Sequence, residues 1–592
     1  MSKITLLRSA AVGAVLTFGM GAAAHAADSA DCTVKCVKPV HHAKHHAAPV
    51  KAAESPMAGE VAALKAEVAS LEQRLDASNA AAQQAQAAAA QAAASAQAAQ
   101  TVAQNEQTAI SQIPGDVDSA VAKLPKPKND AWYFKGVKFT PGGFIAAESA
   151  YRSRGLISDG ATSPGFANIP YRSAAAEASH TGEWRQSARQ SRVSGLAEAD
   201  VTPDVKLTAY GEFDFLGAAQ TANSNESNSY NLRIRHLYTT VDFKNYGLSV
   251  LAGQTWSLLT LNDQGITPRK EVIPLTIDAQ YAAGFAWARQ PQIRVTENFG
   301  HGLWAAFSIE NPQTNSIGGT ASLLPGYSAA FNQAAGSGSL FNSANNYSFN
   351  HVPDLVAKVA YDNTLVGHHV HVEAFGLYRD FYDRVQVSTT TGTTTTVTAH
   401  NTNTTGGGAG FGAVGQIIPG LLDGQVSGMF GQGIGRYGSS QFSDVYQNAD
   451  GSLQGIKEGA LLAGLTLHAT PKLDVYGYAG EERAEASSYT ANGKQGGYGN
   501  PLFSNLGGCE LAGEVACSGN TKYVEQAVLG FWHKAYSGDF GSFKWGIQAS
   551  YTKRDSFSGI DAGTAAKPTG FGSVSGDDTQ IYTSIRYYPF QK

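Results

Sequence analysis

Five arginines recur at alternating positions in short apolar and polar stretches. Arg192 lies beside Val193, Arg233 and Arg235 flank Ile234, Arg294 lies between Ile293 and Val295, and Arg379 shares a face with His371 and Glu373. A guanidinium presents a planar fork of donors that matches carboxylate geometry, so a row of them on the polar face of adjacent strands attracts anions by fixed charge. Glu212, Asp214 and Glu373 are the candidate acidic partners. Basic groups facing carboxylates set up a transverse field, whereas an excess of arginine favours anions. If Leu232 and Ile234 point outward, Arg233 and Arg235 point inward. A slip of one residue reverses every such direction, and breaks in alternation are expected at His236 and Pro291. The competing reading makes each arginine an ion-paired wall residue without solute contact.

A second group of charges, Asp263, Arg269, Lys270, Glu271 and Asp278, crowds the segment Ser257 to Ala283, which Pro268 and Pro274 stiffen. Following a fifth strand, this segment is expected to fold inward as a constriction loop; the alternative is a solvated surface loop. Catalysis finds no support: the chain has no Gly-x-Ser-x-Gly elbow, no His-Glu-x-x-His and no phosphate-binding glycine loop before a helix. Gly406 to Gly410 falls within a strand pattern. The chain is therefore not expected to be an enzyme, and no cofactor is expected. His41, His42, His45 and His46 have metal-capable spacing, but their Ala, Pro and Lys neighbours favour a solvated linker, and no metal site is assigned.

The elements that carry these residues are strands. Of the 58 Phe, Trp and Tyr residues among 592, only Phe18 precedes Trp132. Charged residues make up 15% against a usual ~25%, and mean hydropathy is −0.20. No apolar run after residue 27 reaches the roughly 20 residues of a spanning helix. In Lys206 to Phe215, one face carries Leu207, Ala209, Gly211, Phe213 and Phe215, and the other carries Lys206, Thr208, Tyr210, Glu212 and Asp214. Phe543 to Thr552 alternates likewise. This period-two pattern predicts an all-β fold, a 16-stranded antiparallel transmembrane β-barrel, apolar outside and polar inside. The strands are expected to start near Val137, Ser187, Lys206, Asn231, Leu248, Gly284, Gly302, Asp354, His369, Thr405, Asp423, Gly455, Lys472, Thr521, Gly541 and Thr579. Seven short turns alternate with eight long loops, among them Gln386 to Asn403 and Ser487 to Asn520. That sorting suits an even-stranded barrel with both termini on the periplasmic side. Tyr582 to Phe590 reads as an aromatic closing strand, although Pro589 and the trailing Gln591 and Lys592 are atypical.

The N-terminal part differs. Residues 1–26 combine Lys3 and Arg8, an apolar stretch and Ala24-His25-Ala26, which predicts a secretory signal peptide cleaved after Ala26. Removing Lys3 and Arg8 changes the net charge from −5 to −7, which gives no basic surplus for nucleic acid. Residues 27–56 form a Cys/His-rich periplasmic linker. An even cysteine count in an exported chain favours disulfides, Cys32 with Cys36 and Cys509 with Cys517. From 57 to 113, Val61, Leu64, Val68, Leu71 and Leu75 repeat at coiled-coil spacing, followed by 15 Ala among the 24 residues Ala77 to Gln100. Pro114, Pro125 and Pro127 mark a hinge over 114–131, leaving the barrel at 132–592. A structural tether or adhesin joining the cell wall to outside partners is the rival to a pore.

An N-terminal coiled coil, a Pro-containing hinge and a sixteen-strand barrel are joined by short motifs. These are Gln190-Ser191-Arg192 in strand two, Arg233-Ile234-Arg235 in strand four and Ala252-Gly253-Gln254-Thr255 in strand five. Together they resemble the DcaP-like porins over about residues 57 to 592. The resemblance implies homotrimers in outer-membrane lipid that pass small, often anionic, hydrophilic solutes. Peptidoglycan is a further candidate partner of the N-terminal segment. The segment Cys32 to His46 and the lengths of several loops depart from that pattern.

Overall fold

The computed structural model describes residues 56–111, 131–156, 165–171, 181–217, 223–315, 323–330, 348–365, 367–502, 504–507, 509, 517–560 and 572–591. The signal peptide, the linker as far as Ser55 with Cys32, Cys36 and the four histidines, and the hinge as far as Asp130 lie outside the described residues. The chain divides into two units, residues 1–124 and 125–592.

In the first unit, Pro56–Ser111 forms one 56-residue helix, α1. Pro56 occupies the first position, where its missing N–H costs nothing, and the alanine-rich run has the highest intrinsic helix propensity. Val61, Leu64, Val68, Leu71 and Leu75 remain exposed on the single chain, each at about half or more of its surface. No helix is long and apolar enough to cross a membrane among the described residues.

The second unit is a closed antiparallel barrel of sixteen strands: β1 Val137–Arg152, β2 Arg192–Thr202, β3 Val205–Asp214, β4 Arg233–Phe243, β5 Leu248–Trp256, β6 Arg289–Gly300, β7 Leu303–Glu310, β8 Asp354–Leu365, β9 His368–Thr391, β10 Thr394–Ile418, β11 Leu422–Gln432, β12 Lys457–Thr470, β13 Leu473–Ala484, β14 Thr521–Gly538, β15 Gly541–Ser556 and β16 Ser575–Tyr588. Each strand pairs with its sequence neighbour, and β1 meets β16 from Ile145↔Tyr587 to Arg152↔Gln580, so the barrel has no free edge. Along β15, Ile547 and Tyr551 are exposed while Gln548, Ser550 and Thr552 are buried. That apolar-out, polar-in alternation is the arrangement expected in lipid.

Four details depart from the sequence expectation. Strand two starts at Arg192, after a break in which the Ser191 hydroxyl donates to Ala188 O (2.7 Å) and accepts from Ala146 N (2.9 Å), replacing ladder bonds; a separate strand, Glu183–Ser187, pairs above it with β1. Strand six starts at Arg289, because Gly284 belongs to the preceding loop. There it has φ +83°, its N–H bonds Glu482, and any Cβ would collide with the Leu461 carbonyl. The expected loop Gln386 to Asn403 is a continuation of β9 and β10, paired as far as Thr391↔Thr394 and joined by Tyr327–Ala330 as a third strand. Its Thr-rich composition is β-forming. Alternation also runs unbroken through Pro291, which is exposed while Gln290 and Gln292 are buried. At His236 the break is real: a bulge in β4 buries both Arg235 and His236.

Candidate functional site

The loop that leaves β5 folds into the lumen. Running from Ser257 to Ala288, it is bonded to walls on several sides: Leu258 N to Glu310 (2.8 Å), Asn262 N to Glu373 (3.2 Å), Gly265 N to Asp362 (2.8 Å), Leu275 N to the Tyr478 hydroxyl (3.0 Å) and Ile277 N to Gln548 (2.6 Å). Lys358, fully buried, donates to Thr260 O (2.7 Å), and Trp532 Nε1 donates to Leu275 O (2.7 Å). A loop tied to β7, β8, β9, β13, β14 and β15 crosses the barrel and narrows it.

Against this loop stands a basic cluster on β2, β3, β4 and β6. Arg233 bonds Asp214 (2.7 Å). Arg235 bonds Glu212 (2.5 Å), Asp214 (3.0 Å) and the Tyr281 hydroxyl of the loop (3.1 Å), while Arg192 stands 3.6 Å from Glu212. The Arg289 guanidinium stacks over Trp256 and Trp287, 4.7 and 4.9 Å from their ring centres. Three guanidiniums thus share two carboxylates, and with Arg289 stacked beside them the cluster holds two more guanidiniums than carboxylates. Tyr281 reports that excess from the loop. Burial pushes its hydroxyl up, but Arg235, Arg192 and Arg289 outweigh burial and bring it down to about 8.

Burial holds two acids of the loop toward their neutral forms. Burial pushes Asp278 up to about 8, with Gln548 its side-chain partner at 2.9 Å, so at neutral pH it is mostly protonated. Burial raises Glu271 as well. Asp263 sits at the loop tip, where its carbonyl bonds His369 at 3.0 Å, and Arg269 and Lys270 are exposed. Arg269 (φ +68°) and Tyr281 (φ +66°) both occupy the left-handed region, which costs a non-glycine residue about 1–3 kcal/mol. The surrounding bonds hold these two side chains in the lumen against that cost.

The remaining arginines and Glu373 face inward but lie elsewhere. Arg294 is 2% exposed and donates to Trp256 O (2.6 Å) and Gln292 (3.0 Å). Arg379 is 1% exposed between Asp354 (3.2 Å) and Asp444 (2.8 Å), part of a buried network with Arg436 and Tyr437 that fastens the loop after β11. Glu373 pairs with Lys358 (2.7 Å) and His371 (3.1 Å) and not with Arg379. Arg289, Tyr281 and Lys358 were not singled out by sequence. Arg289 follows Trp287 at a loop-to-strand junction, where alternation gives no direction.

The short motifs also acquire physical roles. Gln190 donates to Ile277 O of the loop (2.7 Å). Gly253, with φ +129°, lies where any Cβ would strike Leu237 O and Tyr238, opposite the β4 bulge; Thr255 bonds His236 (2.9 Å) and Gln254 bonds Ile234 O (3.0 Å) across it. Cys509 and Cys517 form a disulfide with Cα atoms 4.8 Å apart.

No protein-family profile and no curated protein matches the sequence. Among solved structures, the outer membrane channel DcaP of Acinetobacter baumannii aligns over 77% of this chain and 99% of its own, at 17% identity and a TM-score of 0.51. The barrel has the DcaP fold. More distant likenesses are OmpT of Vibrio cholerae (12% identity, 78% of this chain and 99% of that one, TM-score 0.39) and the anion-selective porin from Comamonas acidovorans (13%, 76% and 99%, TM-score 0.37). In this DcaP-type barrel the inward loop and the arginine cluster occupy the same level of the lumen, joined by the Arg235–Tyr281 bond.

Proposed function

We propose that the chain is an outer-membrane diffusion channel for small hydrophilic solutes, with a preference for anions such as small carboxylates. A sixteen-stranded barrel encloses more space than side chains fill, and charges at the narrowest point set selectivity. The observation that carries the anion preference is the gathering of four guanidiniums around two carboxylates beside the constriction loop, three of them ion-paired and Arg289 stacked on Trp256. We further read the channel as a homotrimer with its N-terminal segment in the periplasm, where α1 associates as a parallel coiled coil and extends about 84 Å toward peptidoglycan. The exposed seam of α1 supports this reading, since an isolated helix with an apolar stripe needs partners.

The deciding experiment is a planar-bilayer recording of the refolded mature chain under a salt gradient. Stepwise conductance with an anion-selective reversal potential is expected. Absence of conductance would instead favour a tether, and a cation-selective potential would remove the role given to the arginines.

A further inference from the structure

Beneath the tip of the constriction loop, toward the short turns, lies a cavity of about 340 Å³, separate from the Arg192, Arg233 and Arg235 cluster and within the size range of small-molecule sites. Its walls come from β3 to β7 and its roof from Ile266 to Arg269. The lining is rich in hydroxyls, from Thr208, Tyr238, Thr240, Ser249 and Thr296. Lys206, Asp242, Ser249 and Thr296 are consecutive partners across the four strands, so their side chains share one rung. Asp242 is the acceptor there, taking bonds from Ser249 (2.5 Å) and Thr240 (3.3 Å).

The cations around this cavity differ in how far they are neutralised. Lys206 is bonded to Glu198 at 2.5 Å and Lys244 to Asp200 at 2.7 Å. Arg269 joins no ion pair among the described residues; its guanidinium lies 5.6 Å above the Tyr210 ring, and its left-handed backbone fixes its direction. Beside it the Tyr238 hydroxyl, on a side chain only 5% exposed, has the Arg269 guanidinium as its polar neighbour. A guanidinium donates and cannot accept, so the buried hydroxyl proton still needs an acceptor, which a ligand carboxylate or water supplies. Trp304, against which Gly265 of the loop presses, supplies an apolar face.

We propose that this cavity is a binding subsite for small polyhydroxylated monocarboxylates, the chemical class of sugar acids. The carboxylate meets Arg269 and Tyr238, the hydroxyls meet Asp242 and the threonines, and the C–H face of the carbon chain rests on Trp304. Neither a bare carboxylate nor a neutral sugar uses both ends of the site. The proposal deepens the channel reading and rests on it for the route by which the solute arrives.

The test is calorimetric titration of the full mature chain in detergent with gluconate, propionate and glucose. Gluconate is expected to bind saturably, and propionate and glucose at least tenfold more weakly. Arg269→Gln should weaken gluconate at least tenfold, and Tyr238→Phe should weaken it about threefold should the first variant fail to fold. The Arg233→Ser/Arg235→Ser double variant should still bind. Equal affinity for gluconate and propionate, unchanged gluconate affinity in both single variants, or loss of binding in the double variant would overturn the site. Bilayer conductance separates the two claims: a chain that conducts without distinguishing gluconate loses the subsite, and one that binds gluconate without conducting loses the channel.

Discussion

Arg233, partly exposed, and Arg235, buried against Tyr281, each hold a buried carboxylate and add to the positive excess of the cluster. Replacing both by Ser leaves Arg192 and Arg289 against Glu212 and Asp214, which removes the excess. A unit charge about 10 Å away in water is worth about 0.4 kcal/mol, and anion and cation respond in opposite directions, so losing two should lower the anion-over-cation permeability ratio about fifteenfold at low salt and less at physiological salt. Reversal potentials of wild type and double variant check this, and equal potentials would make these arginines wall residues. Tyr281 adds a pH dependence of known sign. Its hydroxyl is neutral below about 8 and anionic above, so rising pH removes one unit of positive excess. Tyr281 alone should lower the anion-over-cation ratio about threefold between pH 7 and 9 by the same Coulomb estimate, and Asp278, which also ionises near 8, adds a fall of the same sign. Tyr281→Phe should remove its share of that profile and leave the Asp278 share, and a profile unchanged in the Phe variant would assign the whole titration to Asp278 or another group.

At the scale of elements, the constriction loop is positioned by wall residues whose side chains replace the strand partners it lacks. Glu482, Gln548, Glu373 and Asp362 each accept a backbone N–H from it, because a buried loop must satisfy its peptide groups. The loop after β13 relies instead on a covalent tie. Cys509→Ser opens a ring that closes only seven intervening residues, and the destabilisation should stay at or below about 2–4 kcal/mol because the loop can open without unfolding strands. Faster proteolysis between β13 and β14 with an unchanged thermal transition of the barrel is expected. A large drop in that transition would show that the bridge supports the barrel itself.

At the scale of the whole molecule, the proposed trimer is held together by the seam of α1. Burying one Leu contributes roughly 1.5–3 kcal/mol, so Leu64→Asp with Leu71→Asp should shift crosslinked trimers strongly toward monomers, by at least 3 kcal/mol per chain, if the helix drives association. Full-length chains carrying both substitutions, crosslinked in detergent, give the measurement. Trimers that persist unchanged would move the interface to the barrel wall.

Alternation in residues such as Lys206 to Asp214 and Trp545 to Tyr551 was enough, by itself, to determine an even barrel of sixteen strands and the inward direction of Arg192, Arg233 and Arg235. A side chain's face in a strand is a local property of backbone pleat. Whether an inward side chain meets the solute path is not local, because it depends on loops arriving from elsewhere in the chain. Arg294 and Arg379 point inward as expected, yet the loop after β5 covers one and the loop after β11 the other. Glu373 found Lys358 rather than an arginine for the same reason, since they are adjacent only across the β8–β9 pairing. Arg289 was illegible at a junction without period, and Tyr281 gained its charge sensitivity only when the loop brought it to Arg235. The sequence determined the wall, and the tertiary paths of two loops decided which inward charges they cover.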